Sequence, residues 1–241
     1  MCRDIVKTIA VIIVFCATAF AQTTEGKQEL LDIKQQKIVS ISALTAVGNW
    51  DKLEAELHAG LDAGLTVNEI KEVLVHLYAY CGFPKSISGL NSFISVLEAR
   101  RAKGITDLRG KAASPINDSL SKYARGKKIL EKLAGQPEQE RRTGYAAFSP
   151  EIDVFLKEHL FADIFERDVL TYQQRELVTI SALCSMGNVE PMLRGHMTIG
   201  LNVGITKGQL EEIIAQIEKA IGKKEADAGR RVLGEIYANK K

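Results

Sequence analysis

Lys34-Gln35-Gln36-Lys37-Ile38-Val39-Ser40-Ile41-Ser42-Ala43-Leu44 and Gln173-Gln174-Arg175-Glu176-Leu177-Val178-Thr179-Ile180-Ser181-Ala182-Leu183 are one pattern written twice, 139 positions apart. The match continues through Gly48-Asn49 and Gly187-Asn188. One extra residue in the second copy then raises the offset to 140, where Ala63-Gly64-Leu65-Thr66 meets Val203-Gly204-Ile205-Thr206. A duplication of this kind sets the architecture before any single element is assigned.

Both copies use helical grammar. Asp32 and Thr171 each precede a glutamine by three positions (Gln35, Gln174), the reciprocal capping pattern ahead of an apolar run. Gly64 and Gly204 supply left-handed helix ends, and Thr66 with Glu69, or Thr206 with Gln209, opens the next helix. Each copy therefore reads helix, Gly-Asn turn, helix, Gly-x-Thr turn, helix. The first helix of each is apolar on most sides, which predicts burial. No stretch alternates with period two, so the fold class is all-α.

Residues 102–148 differ in texture, being rich in Lys, Arg, Gly and Ser. One helix is expected there, capped by Asn117 or Asp118, carrying Leu120, Tyr123, Ile129 and Leu133, and closed by Gly135 and Pro137. Ser149-Pro150 opens a further helix with Ile152, Phe155, Leu156 and Leu160 as its apolar face. The second copy thus has a leader that the first lacks, and the linker helix is expected to cover the first copy instead.

Composition bounds the rest. The 241 residues are 46% apolar and 26% charged with a formal charge of +2, which excludes a strongly basic nucleic-acid binder. Arg3 and Lys7 precede an apolar run from Thr8 to Phe20, and Ala19-Phe20-Ala21 places small residues where a signal peptidase reads. A signal peptide over 1–21 is expected, giving a periplasmic or secreted chain with no membrane attachment after cleavage. Of the four cysteines, Cys81 and Cys184 would then remain, both in apolar helical stretches. They are expected as two free, buried thiols.

A family resemblance rests on an ordered set of motifs. Gln174-Arg175-Glu176-Leu177-Val178-Thr179-Ile180-Ser181-Ala182-Leu183, then Gly187-Asn188, Arg194-Gly195-His196 and Gly204-Ile205-Thr206 resemble the carboxymuconolactone decarboxylase family. In the first copy Glu69-Ile70-Lys71-Glu72-Val73-Leu74 and Tyr80-Cys81-Gly82-Phe83-Pro84 are similar to the family's next helix and closing turn. The resemblance implies a tandem of two alkylhydroperoxidase-like helical units, over 31–101 and 149–241. Single-unit members form rings, so a homo-oligomer, dimer or trimer, is expected.

One branch of that family uses a Cys-x-x-Cys pair four residues ahead of a histidine. Here the corresponding positions are Val189 and Met192 before His196, and Asn49 and Lys52 before Glu56. A thiol peroxidase is therefore set aside. The other branch implies a cofactor-free decarboxylase, a carboxy-lyase. Carbon dioxide loss leaves an enolate, so such a site needs donors for the oxyanion and a proton donor. His196 is the candidate acid or base, Glu176 its orienting partner, and Arg175 and Arg194 the candidate holders of a small anionic substrate. The plain alternative is a core histidine beside an exposed ion pair.

No metal is expected, since His58, His76, His159 and His196 are too widely spaced, and no cofactor is called for. In the first copy Lys37 stands where Glu176 stands, and Glu56 where His196 stands, so that copy is expected to be scaffold or pocket wall. Tyr78 and Tyr80 are either pocket or core, and Phe83 is expected in the core. The function that follows is an exported lyase or proton-transfer enzyme on a small anionic substrate. The competing reading is a helical binding or assembly protein that kept the fold without the reaction.

Overall fold

The computed structural model describes residues 30–116 and 119–238. The signal-peptide expectation over 1–21 and the Asn117 and Asp118 caps lie outside the described residues. The elements are α1 (Ile33–Val47), α2 (Trp50–Asp62), α3 (Val67–Ala102), α4 (Lys122–Ala134), α5 (Gly144–Phe148) and α6 (Pro150–Phe155). A π-helical stretch, Leu156–Phe165, continues α6, and α7 (Tyr172–Met186), α8 (Glu190–Asn202), α9 (Lys207–Ala220) and α10 (Lys223–Ala238) follow. No strand occurs among the described residues.

Four reciprocal caps form as the spacing requires. Asp32 and Gln35, Thr66 and Glu69, Thr171 and Gln174, and Thr206 and Gln209 each satisfy the amide groups that a helix start leaves free. Each unit carries a fourth helical segment beyond the three in the repeat grammar. In the second unit it is α10; in the first it is the distal part of α3, after Gly82 breaks the helix with φ +81° just ahead of Pro84.

The two units are interlocked. Helices α1 and α7 pack together at the centre, while α3 packs on α7 and α9 on α1. Each unit's first helix therefore meets the other unit's third. One apolar core runs through both, including Ile41, Leu57 and Leu74 from the first unit and Ile180, Met197 and Ile213 from the second. That continuity makes the pair of units one folding body.

The linker and the leader that follows it depart from expectation in three ways. Helix α4 starts at Ser121, whose hydroxyl caps Ala124 N. It then packs on the π-helical stretch and on α8, so it covers the second unit and not the first. Asn202 Nδ2 on α8 donates to the carbonyls of Leu133 (3.3 Å) and Ala134 (3.0 Å) at its end. The contact is close: a Cβ on Gly126 would lie 1.8 Å from the Lys157 carbonyl oxygen. Third, the leader's buried face is not the one that a period of 3.6 gives. The chain widens to π geometry at Leu156, which turns Lys157, Leu160, Phe161, Ile164 and Phe165 inward and leaves Ile152 and Phe155 exposed.

Candidate functional site

The capping box at Thr171 starts α7 so that its first buried turn carries Arg175 and Glu176, both fully enclosed. Helix α8 crosses that turn and presents His196. His196 Nδ1 donates to Glu176 Oε2 at 2.9 Å, and the imidazole keeps 17% exposure. The carboxylate on Nδ1 fixes the tautomer and leaves Nε2 as the nitrogen free to exchange a proton. The structure thus brings together the two residues that the sequence had paired.

The first unit supplies the rest of the surroundings. Tyr80, from α3, lies edge-on to the His196 ring at 5.5 Å between centroids and 82° between planes. Burial, then the Glu176 carboxylate, push the Tyr80 phenol far above its ordinary value. Thr179 sits beside that phenol, but its own hydroxyl donates to the Arg175 carbonyl at 3.0 Å. Tyr80 Oη is buried without a well-formed protein partner, as are Glu176 Oε1 and Arg175 Nε. Buried polar atoms are nearly always paired, and these three lie next to one another around the Glu176–His196 contact.

Arg175 behaves differently from the expectation that it holds substrate. Its Nη2 donates to Glu72 Oε1 (2.7 Å) and to the Arg167 carbonyl (2.6 Å), and its Nη1 donates to His76 Nδ1 (3.1 Å). Arg167 clamps the same Glu72 carboxylate at 2.9 to 3.1 Å. His76 Nε2 then donates to Thr179 Oγ1 at 2.9 Å. Because Nδ1 accepts and Nε2 donates, His76 is the neutral imidazole. Burial first, then the charge of Arg175, hold its pKa well below the usual histidine range. The guanidinium is thus neutralised within the protein, because the crossing of α3 over α7 brings Glu72 to it. Arg194 is not at this site at all. It pairs with Glu235 on α10, on the far side of α8.

Glu72, His76 and Tyr80 were not assigned to the pair from sequence. They stand one turn apart on a single face of α3, among the apolar residues Ile70, Val73, Leu74 and Leu77, and that polar stripe was the available signal. Phe83 is 62% exposed and stacks on Tyr78 at 4.5 Å, because the break at Gly82 turns it away from the core.

The first copy holds the mirrored arrangement with other chemistry. Lys37 Nζ donates to Glu56 Oε2 at 3.0 Å, in the place of the Glu176 and His196 contact. Gln36 Nε2 donates to Glu212 Oε1 at 3.1 Å, in the place of Arg175 and Glu72. Ala220 and Gln216 stand where Tyr80 and His76 stand. This side is open, a cleft of about 440 Å³.

Cys81 and Cys184 are both free. Burial pushes the Cys184 thiol up to about 12 and the half-buried Cys81 thiol upward as well, away from the reactive thiolate. No group of three or more His, Cys, Asp or Glu side chains that could hold a metal ion occurs among the described residues.

The sequence model of the carboxymuconolactone decarboxylase family matches twice, over residues 14–93 and 150–235. The chain belongs to that family. Two matches separated by the linker agree with a tandem of two family units. Among curated relatives, 4-carboxymuconolactone decarboxylase of Acinetobacter baylyi is 25% identical over 123 residues, covering 51% of this chain and 90% of that one. Peroxisomal protein 2 of Schizosaccharomyces pombe is 27% identical over 202 residues, covering 80% of this chain and 90% of that one.

Proposed function

We propose that the protein is a cofactor-free lyase or proton-transfer enzyme on a small anionic substrate, with its active site in the second unit. The observation that supports this is the 2.9 Å contact between the enclosed Glu176 and the partly exposed His196. Glu176 orients the ring through Nδ1, and Nε2 moves the proton. In a decarboxylation the bond to the carboxylate breaks, carbon dioxide leaves, and the electron pair settles on an adjacent carbonyl as an enolate. The Tyr80 hydroxyl is the donor proposed for that oxygen, and protonated His196 returns a proton to carbon. With Arg175 bonded to Glu72 and Arg194 to Glu235, the donors proposed for the anionic substrate are His196 Nε2 and the Tyr80 hydroxyl.

A panel of small lactone and keto acids, followed by carbon dioxide release and by deuterium incorporation, tests this. Turnover that falls about 10²- to 10⁴-fold in His196→Gln supports it. If no acid turns over, and none stabilises wild type more than His196→Ala against heat, the non-catalytic binding reading replaces it.

Export is proposed on Arg3, Lys7 and the apolar run from Thr8 to Phe20. Sequencing the purified native protein should give Gln22 first, and a chain beginning at Met1 refutes it. A homo-oligomer, dimer or trimer, is proposed on the apolar side chains Phe83, Ile87 and Ile94 exposed along distal α3. Sedimentation showing a monomer at micromolar concentration refutes that.

A further inference from the structure

The cleft of the first unit is more than a worn copy of the other site. It is bounded by α1 and α2 of the first unit and α9 of the second. Leu44, Ala55 and Ala220 form its apolar side, and Lys37, Lys52, Lys219, Glu56 and Glu212 its charged side. Its volume, about 440 Å³, suits a small organic ligand. Both carboxylates are already engaged. Glu56 holds Lys37 at 3.0 Å, and the two oxygens of Glu212 accept from the Leu31 amide (2.7 Å) and the Gln36 side chain (3.1 Å). Lys52 gives one hydrogen to the Ala220 carbonyl at 3.1 Å and keeps two donors. Lys37, Lys52 and Lys219 outweigh Glu56 and Glu212 by one, so the cleft lining keeps a single net positive charge, carried by Lys52 and Lys219 at its exposed side.

The counterpart positions show why the two sites differ. Tyr80 fills the second site where Ala220 leaves the first one open, and Met192 stands where Lys52 stands. Helix α4 packs on α8, where Ile199 and Val203 join the apolar cluster that α4 shares with the π-helical stretch, whereas among the described residues α2 packs chiefly on α1 and α3. Relative to the second site, the first has Glu56 in place of the imidazole, the lysines Lys37, Lys52 and Lys219, and an open cleft. That combination fits binding without turnover.

We propose that this cleft binds a small organic monocarboxylate, its carboxylate on Lys52 and Lys219 and its apolar body on Leu44, Ala55 and Ala220. Ammonium–carboxylate hydrogen bonds supply the charge recognition, and the apolar wall prefers a ring or branched chain over acetate.

Benzoate is the probe, with benzamide as its neutral counterpart, titrated into the full chain and followed by backbone amide NMR. Benzoate should shift the amides around Ala55 and Ala220. Its affinity should fall roughly tenfold in Lys52→Gln/Lys219→Gln, and benzamide should bind wild type that much more weakly. Ala220→Tyr should abolish the shifts by filling the cleft. The lysines are exposed, so the double variant is expected to fold as wild type does, which its amide spectrum checks. Equal affinity of benzoate for wild type and the double variant, or shifts only around His196, overturns the proposal.

Discussion

Two pairs of side chains occupy matching places in one molecule and obey different physics. Glu176 and His196 lie beside Tyr80 of the opposite unit, with one partner wholly enclosed. Lys37 and Glu56 face an open cleft and keep 21% and 28% exposure. The helix positions are the same; what differs is what the opposite unit lays over them. Chemistry in this fold is thus decided by α3 and α9 as much as by the helices that carry the pair.

The largest test of that contrast lies one turn earlier, at Glu72 and Glu212. Glu72 is enclosed and bonded to two guanidinium groups, one of them, Arg175, fully buried. Glu72→Gln leaves that cation without a counter-charge and should cost about 3–5 kcal/mol. The matching Glu212→Gln keeps one acceptor oxygen and loses one of two hydrogen bonds, to a neutral side-chain amide or a backbone amide, and should cost about 0.5–1.5 kcal/mol. Urea denaturation of both variants measures the difference. Equal costs would mean that the duplicated positions do equivalent work.

The cover over the second site gives the next effect. At Gly126 even a methyl group would meet the backbone of Lys157, so α4 must shift to accommodate it. Gly126→Ala should destabilise by about 1–3 kcal/mol. It should also speed proteolysis within 102–148 and increase exchange at amides near His196, with the first unit's cleft unchanged.

Much of this was legible in the residues. Reciprocal caps located the helices, because a cap depends on neighbours three positions away, and the repeat showed the pattern twice. The Glu176–His196 pair came from the family resemblance, and the repeat offset carried it to Lys37 and Glu56. Partners across units did not, since nothing local in Glu72 or His76 says that α3 crosses α7. The π widening at Leu156 defeated the 3.6-residue face, and the left-handed Gly82 turned Phe83 outward. The apolar stripe of α4 said that it needed a cover site without saying which unit provides it.

His76 offers a smaller, pH-dependent contrast with its counterpart Gln216. Its folded pKa is depressed, so below about pH 6.5 the unfolded chain takes up a proton that the folded one refuses. Stability attributable to this residue is therefore complete above that value and is lost as pH falls, by about 1.4 kcal/mol per pH unit. Denaturation midpoints compared between pH 7.5 and 5.5 should drop in wild type, and the drop should shrink by that amount in His76→Gln.

The smallest effect belongs to the pair with the simplest appearance. Lys37 and Glu56 meet at 3.0 Å, but both are partly solvated, so their attraction competes with water and with the entropy of holding two long side chains. A double-mutant cycle with Lys37→Met and Glu56→Gln should return a coupling of only about 0.2–1 kcal/mol. Raising ionic strength to about 1 M shortens the screening length to about 3 Å, and the coupling should fade. The matching cycle with Glu176→Gln and His196→Gln probes a contact from which Tyr80 and α3 exclude most solvent, so its coupling should be larger and nearly indifferent to salt. If salt weakens both alike, the second site is as wet as the first. Its closure by the opposite unit would then no longer explain why only one copy has an imidazole poised beside an acid.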